Sequence, residues 1–530
     1  MRLKAVAIAL LLVLALSPAA YLAWSNRDVP HLGYFQDDGL YLIGAKSLAE
    51  GSGYRILSLP GQPYQTKYPP LYPLLLSVVW AAAPDFPGNL PWALLASWLW
   101  VPILVALCAV YFRDSGFRPQ HAVALCVVLA LNPALAFLGT NLMADIMFSA
   151  LLLAAAIVAE RAGRGESSPK LAFAAGLLAA AAYLTKTAAL PLLLTVPALY
   201  LWRGRKLTAA FFLAGMAPAA VAWSVWAQVH TPGSSDLVTL YYTNYLGFYR
   251  ATISRHDLLD LFKTNADTFL RGAGGLVVFR TSDGDWMKLL VRALALTAIA
   301  GNVRLARQRG ITHLQFFAIV YSAQLISWNY TPNERFLLPL VPVIWAGLFT
   351  EGMSVIAAAR KALRAPGADQ RIAAAVMLAG TAAVVVIASA ATWQGFTRFL
   401  PNLLDARRST LAENRRAFDW VSQHTPADAT FVAYQDTLIY LYTHRAGARM
   451  VLSSAPFYHR DGDAILDRFK QVPEFGSAHG LTWVLATDQD YETDLDEGRR
   501  KILRREIDTD AGLHREFSSH HGAVYAMSSP

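Results

Sequence analysis

Residues able to do chemistry are sparse in this chain, and the most suggestive of them stand beside long apolar runs. Asp37-Asp38 follows the first such run, and Asp145 begins another, in Asn141-Leu-Met-Ala-Asp145-Ile-Met-Phe. An ionisable group at membrane depth is costly and is usually functional or paired. If both acidic sites share a cavity, one carboxylate can take a proton from a hydroxyl. Another can hold a divalent cation, magnesium or manganese, against a phosphate, and Asp145 is the candidate ligand. Plainer readings stand beside this one. Asp145 would serve equally as a helix N-cap, and Asp37-Asp38 as a solvated turn.

Candidate phosphate binders lie near the same runs. Lys67 precedes a proline pair in Lys67-Tyr68-Pro69-Pro70, Lys186 interrupts two apolar runs, and Arg335 heads Asn333-Glu334-Arg335-Phe336. A cation at each position suits a lipid-borne phosphate at the interface. The bland alternatives are snorkelling to headgroups for Lys186 and a local Glu334–Arg335 pair. There is no Walker motif, dinucleotide glycine fingerprint or zinc spacing. His520-His521 reads as surface, and Gly272, Gly274 and Gly275 as a flexible loop. Tyr241, Tyr242, Tyr245 and Tyr249 read mostly as interfacial anchors. Cys108 and Cys126 lie inside apolar runs and read as small hydrophobes.

The elements that must position these residues are membrane helices. The chain has 530 residues, 55% hydrophobic and 16% charged, with a mean hydropathy of +0.34; soluble domains carry about 25% charge. A span needs about 20 apolar residues. By that measure about eleven segments qualify: 5–24, 90–112, 120–139, 146–160, 171–184, 187–202, 208–228, 287–303, 312–328, 335–352 and 373–392. The stretch 171–202 is divided at Thr185-Lys186-Thr187. The run 71–83 is short for a span and reads as a helix lying in the interface.

The net charge of +9 does not signal nucleic acid, because many Lys and Arg sit in short loops between apolar runs. That is the positive-inside pattern, and anionic lipid and phosphate are the fitting partners. Arg2 and Lys4 place the start of the first run inside. The basic loops then alternate through Arg113, Arg161, Arg203, Arg304 and Arg360. Loops 25–89 and 229–286 and the tail 394–530 fall outside, in a cell inner (plasma) membrane with a periplasmic tail. The first run could instead be a cleaved signal peptide; cleavage would leave the orientation unchanged. The tail mixes a helix at 415–423 with β-like runs at 430–434, 450–453, 481–486 and 522–527, which predicts a small α/β domain.

Taken together, these motifs resemble the C-type glycosyltransferase superfamily, in particular bacterial relatives of protein O-mannosyltransferases and lipid A aminoarabinose transferases. The resemblance lies in Asp37-Asp38-Gly-Leu-Tyr41, Leu48-Ala-Glu-Gly51, Lys67-Tyr-Pro-Pro70-Leu-Tyr-Pro73, Met143-Ala-Asp145, Leu184-Thr-Lys186 and Glu334-Arg335-Phe336-Leu-Leu-Pro339. It implies a polytopic α-helical fold with its active site at the external membrane face. It also implies a polyprenyl-phosphate sugar donor, a cell-envelope acceptor and inverting transfer. Asp37 would be the general base, with Asp38 as the alternative. Asp145 would be the metal or substrate ligand. Lys67, Tyr68, Lys186, Glu334 and Arg335 would bind substrate. The competing readings are a flippase or transporter for a lipid-linked sugar, whose polar residues belong near the midplane, and an anchored scaffold, which one span would serve.

Overall fold

In hydrocarbon a backbone must satisfy its own hydrogen bonds, so each apolar run is expected to be helical, and each one is. The computed structural model describes residues 2–29, 32–164, 168–280 and 284–528. The side chains of residues 2–5 lie outside that description, and with them the basic start at Arg2 and Lys4. Among the described residues, six helices are long and apolar enough to cross a membrane: Val6–Ser25, Leu90–Asp114, Lys206–His230, Asp285–Arg309, Glu334–Leu363 and Ala368–His424. A seventh span arises if Pro119–Ala130 and Pro133–Gly139, bent by 56°, count as one. The remaining expected spans are shorter or more charged. Pro169–Thr185, Thr187–Trp202 and His313–Ile326 are short apolar helices. Asp145–Ala162 includes Glu160 and Arg161 in its last turns.

Close helix contacts use small residues, as in other membrane bundles. A Cβ on Gly176 would run into the backbone of Phe212, and one on Gly215 into that of Phe173. The break expected near Lys186 is present: one helix ends at Thr185, Lys186 is extended, and a single 3-10 turn, Thr187–Ala189, follows. Leu71–Ala82 is a two-faced helix. Tyr72, Leu76 and Trp80 are buried, while Leu74 and Val78 are exposed on the other side, as an interfacial helix requires.

The tail begins without a break in the helix. Ala368–Gln394 runs through a π-turn at Gly395–Phe399 directly into Leu400–His424. Five strands follow: β1 (Thr430–Ala433), β2 (Ala446–Ala448), β3 (Trp483–Thr487), β4 (Leu513–Ser518) and β5 (Gly522–Met527). Their order is β2-β1-β3-β5-β4. β2, β1 and β3 are parallel, and β5 is antiparallel to both β3 and β4.

The expected strand at 450–453 does not form. The edge beside β1 is taken by Ala446–Ala448 instead, in register Phe431 with Gly447. Gly447 fits there because a Cβ would press on the Phe431 carbonyl, and its N–H reaches back to Ser58 O at 2.8 Å. Met450 is buried in apolar packing without a partner strand. β4 has no strand-like alternation in sequence, because Leu-His-Arg-Glu-Phe-Ser exposes most of its polar side chains at the sheet edge.

Candidate active site

Helix starts and one helix break bring the charged residues together. Asp37 opens Asp37–Ala49, Asp145 opens Asp145–Ala162, and Arg335 lies in the turn Glu334–Leu337. Helix N-termini favour carboxylates, since their first N–H groups are unpaired and carry positive partial charge. Yet Asp145 caps nothing. The residue at the cap is Ala144, with no side-chain bond.

The Asp145 carboxylate instead accepts from Lys186 Nζ at 2.7 Å and from Arg335 Nε at 3.1 Å. Arg335 Nη2 meanwhile donates to Asp37 Oδ2. One guanidinium thus bridges two carboxylates from distant parts of the chain. The Tyr68 hydroxyl donates to Asp37 Oδ1 at 2.5 Å. Phe35 and Phe336 lie 4.9 and 5.1 Å from the guanidinium carbon. Such faces favour a cation and exclude water.

The two neighbouring acids differ. The Asp37 side chain keeps 20% of its surface exposed. Burial pushes its carboxyl up, but Arg335, Lys67 and the Tyr68 hydroxyl outweigh that and hold it below the usual carboxylate range. Asp38 is fully buried. Its Oδ1 accepts from the N–H groups of Gly33 at 3.0 Å and Gly39 at 2.6 Å, while its Oδ2 is buried without a partner. Burial pushes the Asp38 carboxyl up to about 6. Neither acid is a solvated turn residue.

Lys67 donates to the Tyr241 carbonyl at 2.8 Å and faces the rings of Tyr241 and Tyr245 at 4.3 and 4.8 Å. Burial lowers its ammonium to about 8. Glu334 turns away from Arg335 and pairs with Arg280 at 2.9 Å, so the local-pair reading fails. The three glycines read as a loop lie at the end of Leu258–Gly275. There a Cβ on Gly275 would strike Glu334, and one on Gly274 would strike Val291, so close packing explains them.

The residues do not fit a divalent cation at Asp145. Both of its oxygens already accept from cationic side chains. Among the described residues, no group of three or more His, Cys, Asp or Glu converges. His520 and His521 follow β4 in the turn to β5, where His521 Nδ1 lies 3.0 Å from Asp488.

Several participants gave no usable signal in the sequence. Gln36, next to Asp37, is a hub. Its Nε2 donates to Tyr242 OH and Asp436 Oδ1, both at 3.1 Å, and its Oε1 accepts from Tyr241 OH at 2.5 Å and Arg449 Nη1 at 2.8 Å. Its φ of 60° is left-handed, a conformation that costs a non-glycine residue and persists only under strong local constraint. Tyr242 is fully buried, so it and Tyr241 make polar contacts around the site in place of the lipid anchoring expected from sequence. Asp436 and Arg449 belong to the tail, so the tail helps hold the segment that carries Asp37. Two His–Asp contacts tie the tail to a second segment, 229–286: His459 with Asp257 at 2.7 Å and His479 with Asp236 at 3.0 Å.

No family model matches the chain, and no curated protein does. Solved structures are similar. ArnT from Cupriavidus metallidurans bound to undecaprenyl phosphate has a TM-score of 0.54 at 14% identity, over 98% of this chain and 99% of that one. The Archaeoglobus fulgidus oligosaccharyltransferase in the apo form has a TM-score of 0.56 at 14% identity, over 98% of this chain and 74% of that one. AglB from Archaeoglobus fulgidus, in complex with an inhibitory peptide and a dolichol-phosphate, reaches 0.55 at 13% identity, over 99% and 75%. At such identities the likeness is one of fold, and function has to be argued from the site.

Proposed function

We propose that this chain, which has the fold of the C-type glycosyltransferases, transfers a sugar from a polyprenyl-phosphate carrier to a hydroxyl of a cell-envelope acceptor. The observation that carries the reading is the Arg335 bridge between Asp37 and Asp145, flanked by Lys186 and the aromatic-caged Lys67. Three cations around one partly exposed and one buried carboxylate suit a reaction in which a phosphate leaves and a hydroxyl attacks.

In this mechanism Asp37 is the base. It is ionised, it is the more exposed of the two neighbouring acids, and Tyr68 fixes its orientation. The acceptor oxygen bonds to the anomeric carbon on the face opposite the phosphate, and its proton passes to Asp37. The bond from that carbon to the phosphate oxygen breaks, and its electron pair leaves with the lipid phosphate. Lys67, Lys186 and Arg335 stabilise the added charge. Asp145 holds Lys186 and Arg335 in place without touching the sugar. No step runs through a metal, because two cationic side chains, Lys186 and Arg335, already neutralise Asp145.

We assign the site to the external face of a cell inner membrane, following the alternation of basic loops. Nucleotide sugars are absent there, and a lipid-phosphate carrier is the available donor. The tail 394–530 is then periplasmic. The undecaprenyl phosphate of the ArnT structure and the dolichol-phosphate of the AglB structure support a carrier of this kind.

Asp37→Asn tests the assignment. It should lower transfer from a labelled polyprenyl-phosphate sugar about 10²–10⁴-fold, the usual contribution of a general base, in protein that still inserts and elutes as a single species. Unchanged transfer would remove Asp37 from the role. Flipping of the labelled lipid with no transfer would favour a transporter.

A further inference from the structure

The tail sheet carries a feature that the transfer reaction alone does not use. Its parallel strands run in the order β2-β1-β3. The connection from β1 to β2 therefore runs one way, and the connection on to β3 runs the other. In open sheets of this type, ligands bind outside the carboxyl ends of the strands where the order reverses. That point lies between Tyr434 and Gln435, just after β1, and the segment 489–494, just after β3.

An open cleft of ≈ 330 Å³ occupies this position. Its far wall is the first-loop segment 32–36, together with Tyr241. The cleft therefore ends at Gln36, the residue before Asp37. A ligand held by the tail sheet would lie against the residue that precedes the proposed base.

The lining indicates the ligand's chemistry. Arg407, from the long helix Leu400–His424, lies over the Tyr34 ring at 3.4 Å. Its Nε is buried with no hydrogen-bond partner, and no carboxylate lies within ion-pair distance of it among the described residues. Arg449 lies over the Tyr434 ring at 4.0 Å and donates to Gln36. Glu492 and the buried Asp38 stand near Arg407 without forming an ion pair with it. Asp494 accepts from Tyr434 OH at 2.8 Å, and Glu492 lies 3.7 Å from Arg500. Gln435 Oε1 and Thr437 Oγ1 are buried in the lining without partners. Arg407 lines the cleft with no ion-pair partner, and an anion in the cleft would supply one.

We propose that this cleft is the acceptor subsite, and that it takes a glycan bearing a phosphate or carboxylate group. The anion binds Arg407, a sugar ring stacks on the tyrosines, and the attacking hydroxyl is presented past Gln36 to Asp37. This rests on the glycosyltransferase reading and adds the class of acceptor. A glycan is favoured over an acidic peptide because flat aromatic faces and amide groups line the wall: Tyr34, Tyr241, Tyr434, Asn414 and Gln489.

The test is direct binding to the full-length chain in nanodiscs, saturated with undecaprenyl phosphate so that the donor-side cations are occupied. The probes are glucose 6-phosphate, digalacturonate, maltose and an Asp/Glu hexapeptide. The two anionic sugars should bind, and maltose and the peptide should bind at least tenfold more weakly. Arg407→Gln should weaken the anionic sugars at least tenfold, and Arg407→Lys should restore part of the loss. Unfolding temperatures of both variants check that the fold survives. Absence of binding by both anionic sugars, equal binding of maltose or the peptide, or affinity unmoved by Arg407→Gln would each overturn the proposal. Because binding is read without turnover, this outcome is separate from the fate of the transferase reading. If wild-type protein binds the probes but never turns over a polyprenyl-phosphate sugar, the reaction and the acceptor role are wrong and an anionic-glycan binding site stands.

Discussion

The helix Asp145–Ala162 carries charge at both ends, and the two ends differ in kind. At its start Asp145 is 3% exposed and meets Lys186 and Arg335. Near its far end Arg161 pairs with Asp114 at 2.7 Å, with half of the arginine side chain in the open. The distances are alike, but the surroundings are not. In high dielectric an ion pair trades contacts with water for contacts with its partner and gains little. In a site closed by Phe35, Phe336 and Tyr68, every charge relies on its neighbours. Distance alone does not separate a structural surface pair from a working site; burial and shared partners do.

Substitutions along this helix and its partners can break or sharpen that contrast. Arg335→Ala should have the largest effect, because it strands Asp37 and Asp145 together. Removing one partner of a buried pair costs about 3–5 kcal/mol, which should appear in thermal unfolding along with loss of transfer. Adding Asp145→Asn should recover part of the stability but none of the transfer. If the double variant is no more stable than the single one, the two charges are not coupled through Arg335.

Tyr68→Phe should act on the reaction more than on the fold. Without the hydroxyl, Asp37 loses a bond to its ionised form and its pKa rises. The acidic limb of the transfer profile should then move to higher pH, with a rate loss of about tenfold at neutral pH, the scale of one hydrogen bond of about 1.5 kcal/mol. An unmoved limb would separate Tyr68 from the base.

Asp38 predicts a stability effect of defined sign. Its carboxyl is raised from 3.8 to about 6, so the folded chain holds the proton more tightly than the unfolded one. Its contribution is fully present below pH 3.8 and is lost as pH rises through about 6. Asp38→Asn should flatten that part of a stability–pH curve. A slope that persists unchanged would assign it to other buried acids such as Asp436, also raised to about 6.

The smallest effect belongs to the far end of the helix. Arg161→Ala should change stability by no more than about 1 kcal/mol and leave transfer untouched. A loss comparable to that of Arg335→Ala would erase the contrast between the two ends.

Much of the charged centre was legible from the chain alone. Asp37, Asp145, Lys186 and Arg335 stand out because charge beside apolar runs is rare and demands partners, and the structure joins all four. What was not legible follows from contacts between distant segments. Gln36 is an ordinary polar residue in sequence, yet it meets groups about 200 and 400 residues away. Tyr241 and Tyr242 looked like lipid anchors because the same ring suits an interface and a binding site. The run 450–453 has strand-like composition, yet the sheet edge went to Ala-Gly-Ala at β2, where only a side chain as small as glycine's can lie against Phe431. Asp145 drew equal support as a cap, and only its neighbours decided the matter.

Apolar runs and the spacing of basic loops by themselves determined a helical membrane chain, its approximate spans and which acids lacked an obvious reason to be there. These follow from local physics: a backbone in hydrocarbon must bond to itself, and a lone charge must find a partner. The identity of each partner was decided by tertiary structure alone. Arg335 could have paired with Glu334 beside it and instead reaches Asp37 and Asp145, while Glu334 goes to Arg280. Adjacent side chains on a turn point apart, and packing of the helices chooses which distant group each one meets.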